Sequence, residues 1–168
     1  MITKNTLSLI LLFVASFISA QSTDVLDQKN GFKTYKLNAL KSSLSNLGLV
    51  KVDTDVYLVS NNPEKFVFDY EVEEVHLIFQ NDKVKCIMIA IKSGQKGGKI
   101  GALSPYFENL FGRKTYAGKI GESDSDVYEK WVGKKVELEV QYLYKGYQIG
   151  WMPVIAVSEV SSKKNDGF

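Results

Sequence analysis

An internal echo limits this fold more than any other feature. Residues 36–48 read KLNALKSSLSNLG, and residues 99–112 read KIGALSPYFENLFG. Lys36, Ala39, Leu40, Asn46 and Leu47 recur without a gap as Lys99, Ala102, Leu103, Asn109 and Leu110, and Leu44 recurs as Phe107. In each copy three apolar residues fall at i, i+4 and i+7, the stripe of an amphipathic helix. Asn38 is placed to cap the first helix and Gly48 to end it, while Pro105 opens the second and Gly112 closes it.

Strand-like runs follow each helix. In the first half they span 55–60, 65–70, 73–80 and 83–92, and in the second half 114–120, 126–131, 134–144 and 147–158. Asn81-Asp82 and Lys145-Gly146 join the last two runs of each half, and two-residue links of this kind predict hairpins. The expected fold is α+β: two tandem helix-plus-four-strand repeats, covering 32–92 and 102–158, that form an antiparallel sheet with the helices packed on one face. A Gly/Lys-rich linker (93–101) joins them, a flexible lead-in (21–31) precedes them, and a polar tail (159–168) follows.

Alternation assigns the faces. Val75, Leu77 and Phe79 share one side, with His76, Ile78 and Gln80 on the other. Val136, Leu138, Val140, Tyr142 and Tyr144 oppose Glu137, Glu139, Gln141 and Leu143. The apolar set is expected to meet the helices and the polar set to look outward.

The first twenty residues stand apart. Lys4 precedes an apolar run from Leu7 to Ile18, which ends on Ser19-Ala20 and turns polar at once. That pattern predicts an export signal cleaved near Ala20, giving a periplasmic or secreted protein with no membrane span after removal. Cys86 is the only cysteine, so no internal disulfide is available and stability rests on packing. The 21 basic and 19 acidic residues nearly balance, Arg113 is the only arginine, and the lysines are interspersed with acids. Nucleic acid is therefore not an expected partner.

The duplicated helix-plus-four-strand order over residues 32–158, in an exported chain of this size, resembles β-lactamase-inhibitor-protein-like and PepSY-like secreted proteins. The resemblance is one of topology. It implies one sheet backed by helices, with an open face that grips a partner protein.

Read for chemistry, the chain offers little catalytic equipment. His76, the only histidine, would serve as acid or base only beside a carboxylate such as Glu74 or Glu137 and a nucleophile. No nucleophile-elbow motif is present, and Cys86 lies in an apolar run that suits a core residue. One histidine and one cysteine do not make a zinc site. Glu122, Asp124, Asp126 and Glu129 crowd one loop, where a calcium site is a lesser reading than a solvated acidic turn. The glycines of 93–101 lack phosphate-loop spacing. Aromatic residues gather late, with Tyr144 and Tyr147 flanking the Lys145-Gly146 turn. The favoured expectation is a non-enzymatic binding module without a cofactor, possessing a protein or peptide partner. Its binding residues would be Tyr144, Tyr147, Glu137, Glu139, Gln141 and His76. A small hydrolase built on His76 and an envelope assembly factor are the alternatives.

Overall fold

A computed structural model of the protein describes residues 24–92, 99–121, 126–145 and 150–161. The expected signal segment, Glu122, Asp124, Tyr147, and most of the linker and tail lie outside them. The chain is mixed α and β, with a mostly antiparallel sheet. A helical turn (24–29, α1) leads to a small hairpin, β1 (Gly31–Phe32) and β2 (Tyr35–Lys36). A 3₁₀ helix (Lys41–Leu47) follows, then β3 (Leu49–Asp53), β4 (Val56–Val59), β5 (Phe66–Val67), β6 (Tyr70–Gln80) and β7 (Lys83–Ile91). Helix α2 (Ser104–Phe111) opens the second half, followed by β8 (Tyr116–Lys119), β9 (Val127–Val132), β10 (Val136–Tyr144) and β11 (Trp151–Glu159).

Eight strands run in the order β3-β4-β6-β7-β11-β10-β9-β8, and β5 pairs beside β6. Each half of the sheet is a meander, and the halves meet where β7 and β11 pair antiparallel, with Ile89 opposite Ile155. The β6–β7 hairpin turns at Asn81 and Asp82, both at positive φ (51° and 57°), the conformation this tight turn demands. The first-half strands differ from expectation. Leu49–Asp53 was not foreseen as a strand, and the expected run over 65–70 supplies only the short β5 and the first residue of β6.

The two helical pieces are unlike. Residues 41–47 hold three serines and an asparagine, whose side chains compete for backbone hydrogen bonds, and Ser43 Oγ donates to the Leu40 carbonyl at 2.7 Å. A tight 3₁₀ helix results, broken at Leu44 (φ −110°, ψ 19°). Asn38 does not cap it. Its own φ is 64°, and its amide instead donates to Glu159. Gly48 ends the segment in the left-handed region (φ 61°), with Ser60 packed where a Cβ would sit. Pro105 starts α2 as a true α-helix, and the Gly112 amide closes it onto the Glu108 carbonyl at 2.9 Å. In each stripe one residue faces out, Leu40 at one end and Leu110 at the other, and Phe111 is buried beyond it.

The core lies on one side of the sheet. Val75, Leu77 and Phe79 of β6 meet Ile87, Ile89 and Ile91 of β7, together with Val136, Leu138, Val140 and Tyr142 of β10. Over them pack Leu103, Phe107 and Phe111 of α2, Leu47, and the N-terminal arm with Leu26, Tyr35 and Leu37. The Phe107 ring sits 5.5 Å from Trp131, centroid to centroid. The arm is thus part of the fold from residue 24 onward. Leu26 is 2% exposed, a burial that stabilises by about 2 kcal/mol. The Asp27 carboxylate accepts the backbone amides of Lys134 (2.8 Å), Lys135 (2.9 Å) and Val136 (2.9 Å) at the β9–β10 turn. Burial works to raise the Asp27 pKa, but these three donors overcome it and hold the group below the usual carboxylate range. Gly133 is required there, since a Cβ would run into that carboxylate.

The candidate ligand-binding face

Residues that alternate with the core point to the other side of the sheet, where no helix of the described residues packs. Strand register sets their order. Val50, Leu58, His76, Met88, Ala156, Glu139, Lys130 and Tyr116 follow one another as cross-strand partners from β3 to β8. The row changes character along its length. Its first-half end is apolar, with Val50 and its neighbour Val52 about half exposed, at 49% and 51%. Its second-half end is charged and aromatic.

At that charged end the side chains line an open groove of about 540 Å³ on β8, β9 and β10. Lys130 Nζ lies 3.0 Å from Glu139 and 3.3 Å from Glu137. Burial pulls the Lys130 pKa down, but the hydrogen bond and charge of Glu139, with those of Glu137, raise it above its ordinary value. Gln141 Nε2 donates to Glu139 at 2.6 Å, and Ser158 Oγ donates to Glu137 at 3.3 Å. Tyr116, Tyr128 and Val132 complete the walls. The Tyr128 ring lies across Gly118, so close that a Cβ there would meet Cε1 at 3.0 Å. Gly118 is what lets the ring settle onto the edge strand.

Three of the expected binding residues, Glu137, Glu139 and Gln141, therefore share one cavity. His76 does not join them. It stands on the same row but three strands from Glu139, roughly 14 Å at about 4.8 Å per strand. Of its two expected carboxylate partners it uses Glu74, at 2.9 Å. Its cross-strand neighbours are Leu58 and Met88. Tyr144 falls on the opposite, helix-packed side, its ring 5.1 Å from Trp151 and tilted by 52°, and its amide donates to Asp126 at 2.7 Å. Trp151 is half-buried at that edge, packed against the core.

Of the four acidic-loop residues, Asp126 and Glu129 lie within the described residues, and they hold different partners. Asp126 holds the Tyr144 amide, while Glu129 is buried on the core side, 6% exposed, receiving hydrogen bonds from Ser104 Oγ, Lys114 Nζ and, at 3.4 Å, Tyr142 Oη. Among the described residues no three His, Cys, Asp or Glu side chains group as metal ligands. Cys86, expected in the core, sits half-buried on the open side between Ile78 and Ser158. Burial, then the charges of Glu137 and Glu139, push its thiol up to about 11, so it is not a thiolate near neutral pH.

The groove aromatics Tyr116 and Tyr128 escaped the sequence reading, although DVYEKW shows Tyr128 and Lys130 two residues apart on one side of a strand. Comparison with protein-family models, curated proteins and solved structures finds no match for this chain. No helix of the described residues is long and apolar enough to cross a membrane.

Proposed function

We propose that this is an exported, non-enzymatic binding module that holds a protein or peptide partner on the open face of its sheet. The observation that carries the reading is the uncovered apolar band: Val50 and Val52 half exposed beside Leu58, Ile78 and Met88 in strand register. An apolar strip rimmed by polar groups is the usual mark of a contact surface. His76, paired with Glu74, stands within that strip between Leu58 and Met88, and the Glu137, Glu139 and Gln141 wall lies farther along the same face. The tandem-repeat reading supports the same proposal: a helical segment precedes the strands of each half, and the resemblance to β-lactamase-inhibitor-like proteins rests on that order. The hydrolase alternative is less well supported. His76 has apolar cross-strand neighbours, and Ser158, which bonds Glu137, is two strands away.

The test is affinity capture from the exported fraction on immobilised protein, against a column carrying Val50→Asp with Val52→Asp. A partner retained by the native column and lost on the variant supports the reading. Retention of nothing, or equal retention on both, sinks it. Sequencing the N-terminus of the protein recovered outside the cytoplasm should find Gln21 first if the leader is removed near Ala20.

A further inference from the structure

The groove at the other end of the face has a chemistry that an apolar contact does not use. Its charges are mixed: Lys119 and Lys130 line it together with Glu137 and Glu139, and Lys130 bridges both carboxylates. An anion would meet the two glutamates, and a cation would meet the lysine that already occupies them. Neither kind of ion finds a net field to hold it.

What the groove does present is a dense set of oriented donors and acceptors. The Glu139 carboxylate is held by Lys130 and Gln141, and the Glu137 carboxylate by Lys130 and Ser158. Two acceptor-only groups, an amide and an ammonium are thereby fixed within one wall. A hydroxyl both donates and accepts, so a polyhydroxylated ligand satisfies such a wall in either direction. Tyr116 and Tyr128 add aromatic surface on the same side of adjacent strands. Tyr116 is 58% exposed, and Tyr128 is laid down on Gly118. Aromatic faces beside a few placed polar groups suit a ligand with an apolar C–H face and a polar rim. We propose that the groove over β8, β9 and β10 binds a neutral oligosaccharide, with Tyr116 and Tyr128 against the sugar ring and Glu137, Glu139, Lys130 and Gln141 on its hydroxyls. The cavity lies within the size range of small-molecule sites.

The experiment is calorimetric titration of the full chain with cellotetraose, xylotetraose, laminaritetraose and chitotetraose. Trigalacturonate serves as the anionic probe and tetra-alanine as the peptide probe. At least one neutral tetrasaccharide should bind with Kd below about 1 mM, and Tyr116→Ala should weaken it about tenfold or more with an unchanged circular dichroism spectrum. Gln141→Ala should weaken it as well. The Val50→Asp, Val52→Asp variant should titrate like the native protein, which separates this site from the partner surface. The proposal is overturned if none of the four neutral sugars binds, or if the anionic or peptide probe binds in their place. Sugar binding indifferent to both Tyr116→Ala and Gln141→Ala overturns it too.

Discussion

The two ends of the open face are made from the same kind of meander and present opposite chemistries. At the β3–β4–β6 end the outward side chains are valine, leucine and isoleucine around a single His76–Glu74 pair. At the β8–β9–β10 end they are two tyrosines and an interlocked set of two glutamates, a lysine and a glutamine. The layer beneath differs in the same sense. Under the apolar end Tyr57 and Phe79 meet edge to face at 5.3 Å, and under the polar end Glu129 is buried with Ser104, Lys114 and Tyr142. Strand order places the positions, and the side chains at each position decide what they recognise. One layout thus carries two surfaces.

This contrast is open to attack from its most costly point outward. Glu129→Ala should be the most damaging change, destabilising by about 3 kcal/mol in urea denaturation, because Ser104 Oγ and Tyr142 Oη lose a buried charged acceptor. Its cross-strand neighbour on β10 is Val140, so the loss opens the core directly beneath the groove. Next comes Asp27→Ala, which strips three backbone donors of a charged acceptor at the β9–β10 turn and should cost about 2 kcal/mol. Acid provides the sign. Because the folded Asp27 pKa is depressed, its stabilisation is fully present above the unfolded value of about 3.9. It is lost as pH falls through the lower folded value. Asp27→Asn should therefore flatten the acid limb of a stability–pH curve, and an unchanged limb would refute the clasp.

Lys130→Ala should cost about 1 kcal/mol, leaving Glu137 and Glu139 close together without their shared cation, and the loss should shrink in high salt. A thermal melt at two ionic strengths checks both parts. Val52→Thr, at the half-exposed apolar edge, should stay within about 0.5 kcal/mol of the native protein. If this last change destabilises as much as Lys130→Ala, the apolar end is load-carrying structure rather than surface.

Alternation made much of the sheet legible. Val75, Leu77 and Phe79, with Val136, Leu138, Val140 and Tyr142, are buried as period two required, and the strands of the second half lie close to where their runs predicted. It failed where period alone is silent. Cys86 lies in VKCIMIAI, apolar on both faces because β7 is central, and a register shift near Ile78/Phe79 sets its phase. The strand LVKVD was hidden by its position directly behind the helix, although Thr54-Asp55, with Asp55 at φ 58°, is a turn signal between it and β4. The arm was unreadable for a different reason. Nothing local marks Leu26 and Asp27 in a polar stretch as core and clasp, because the amides that Asp27 binds are more than a hundred positions away. Of the groove, the Glu137, Glu139 and Gln141 wall followed from alternation. Tyr116 and Tyr128 required knowing that β8 and β9 lie beside it.

The Asp27 clasp also sets an order of events. A chain leaving the ribosome, or threading a membrane, delivers its N-terminal end first, yet the amides that Asp27 binds belong to residues 134–136. The first piece to arrive is thus among the last to lock. Until the β9–β10 turn exists, Asp27 has none of these three amides to bind, although Thr34 and Tyr35 already have Glu64 and Asn62 within the first half. Such a late, long-range latch slows closure of the fold.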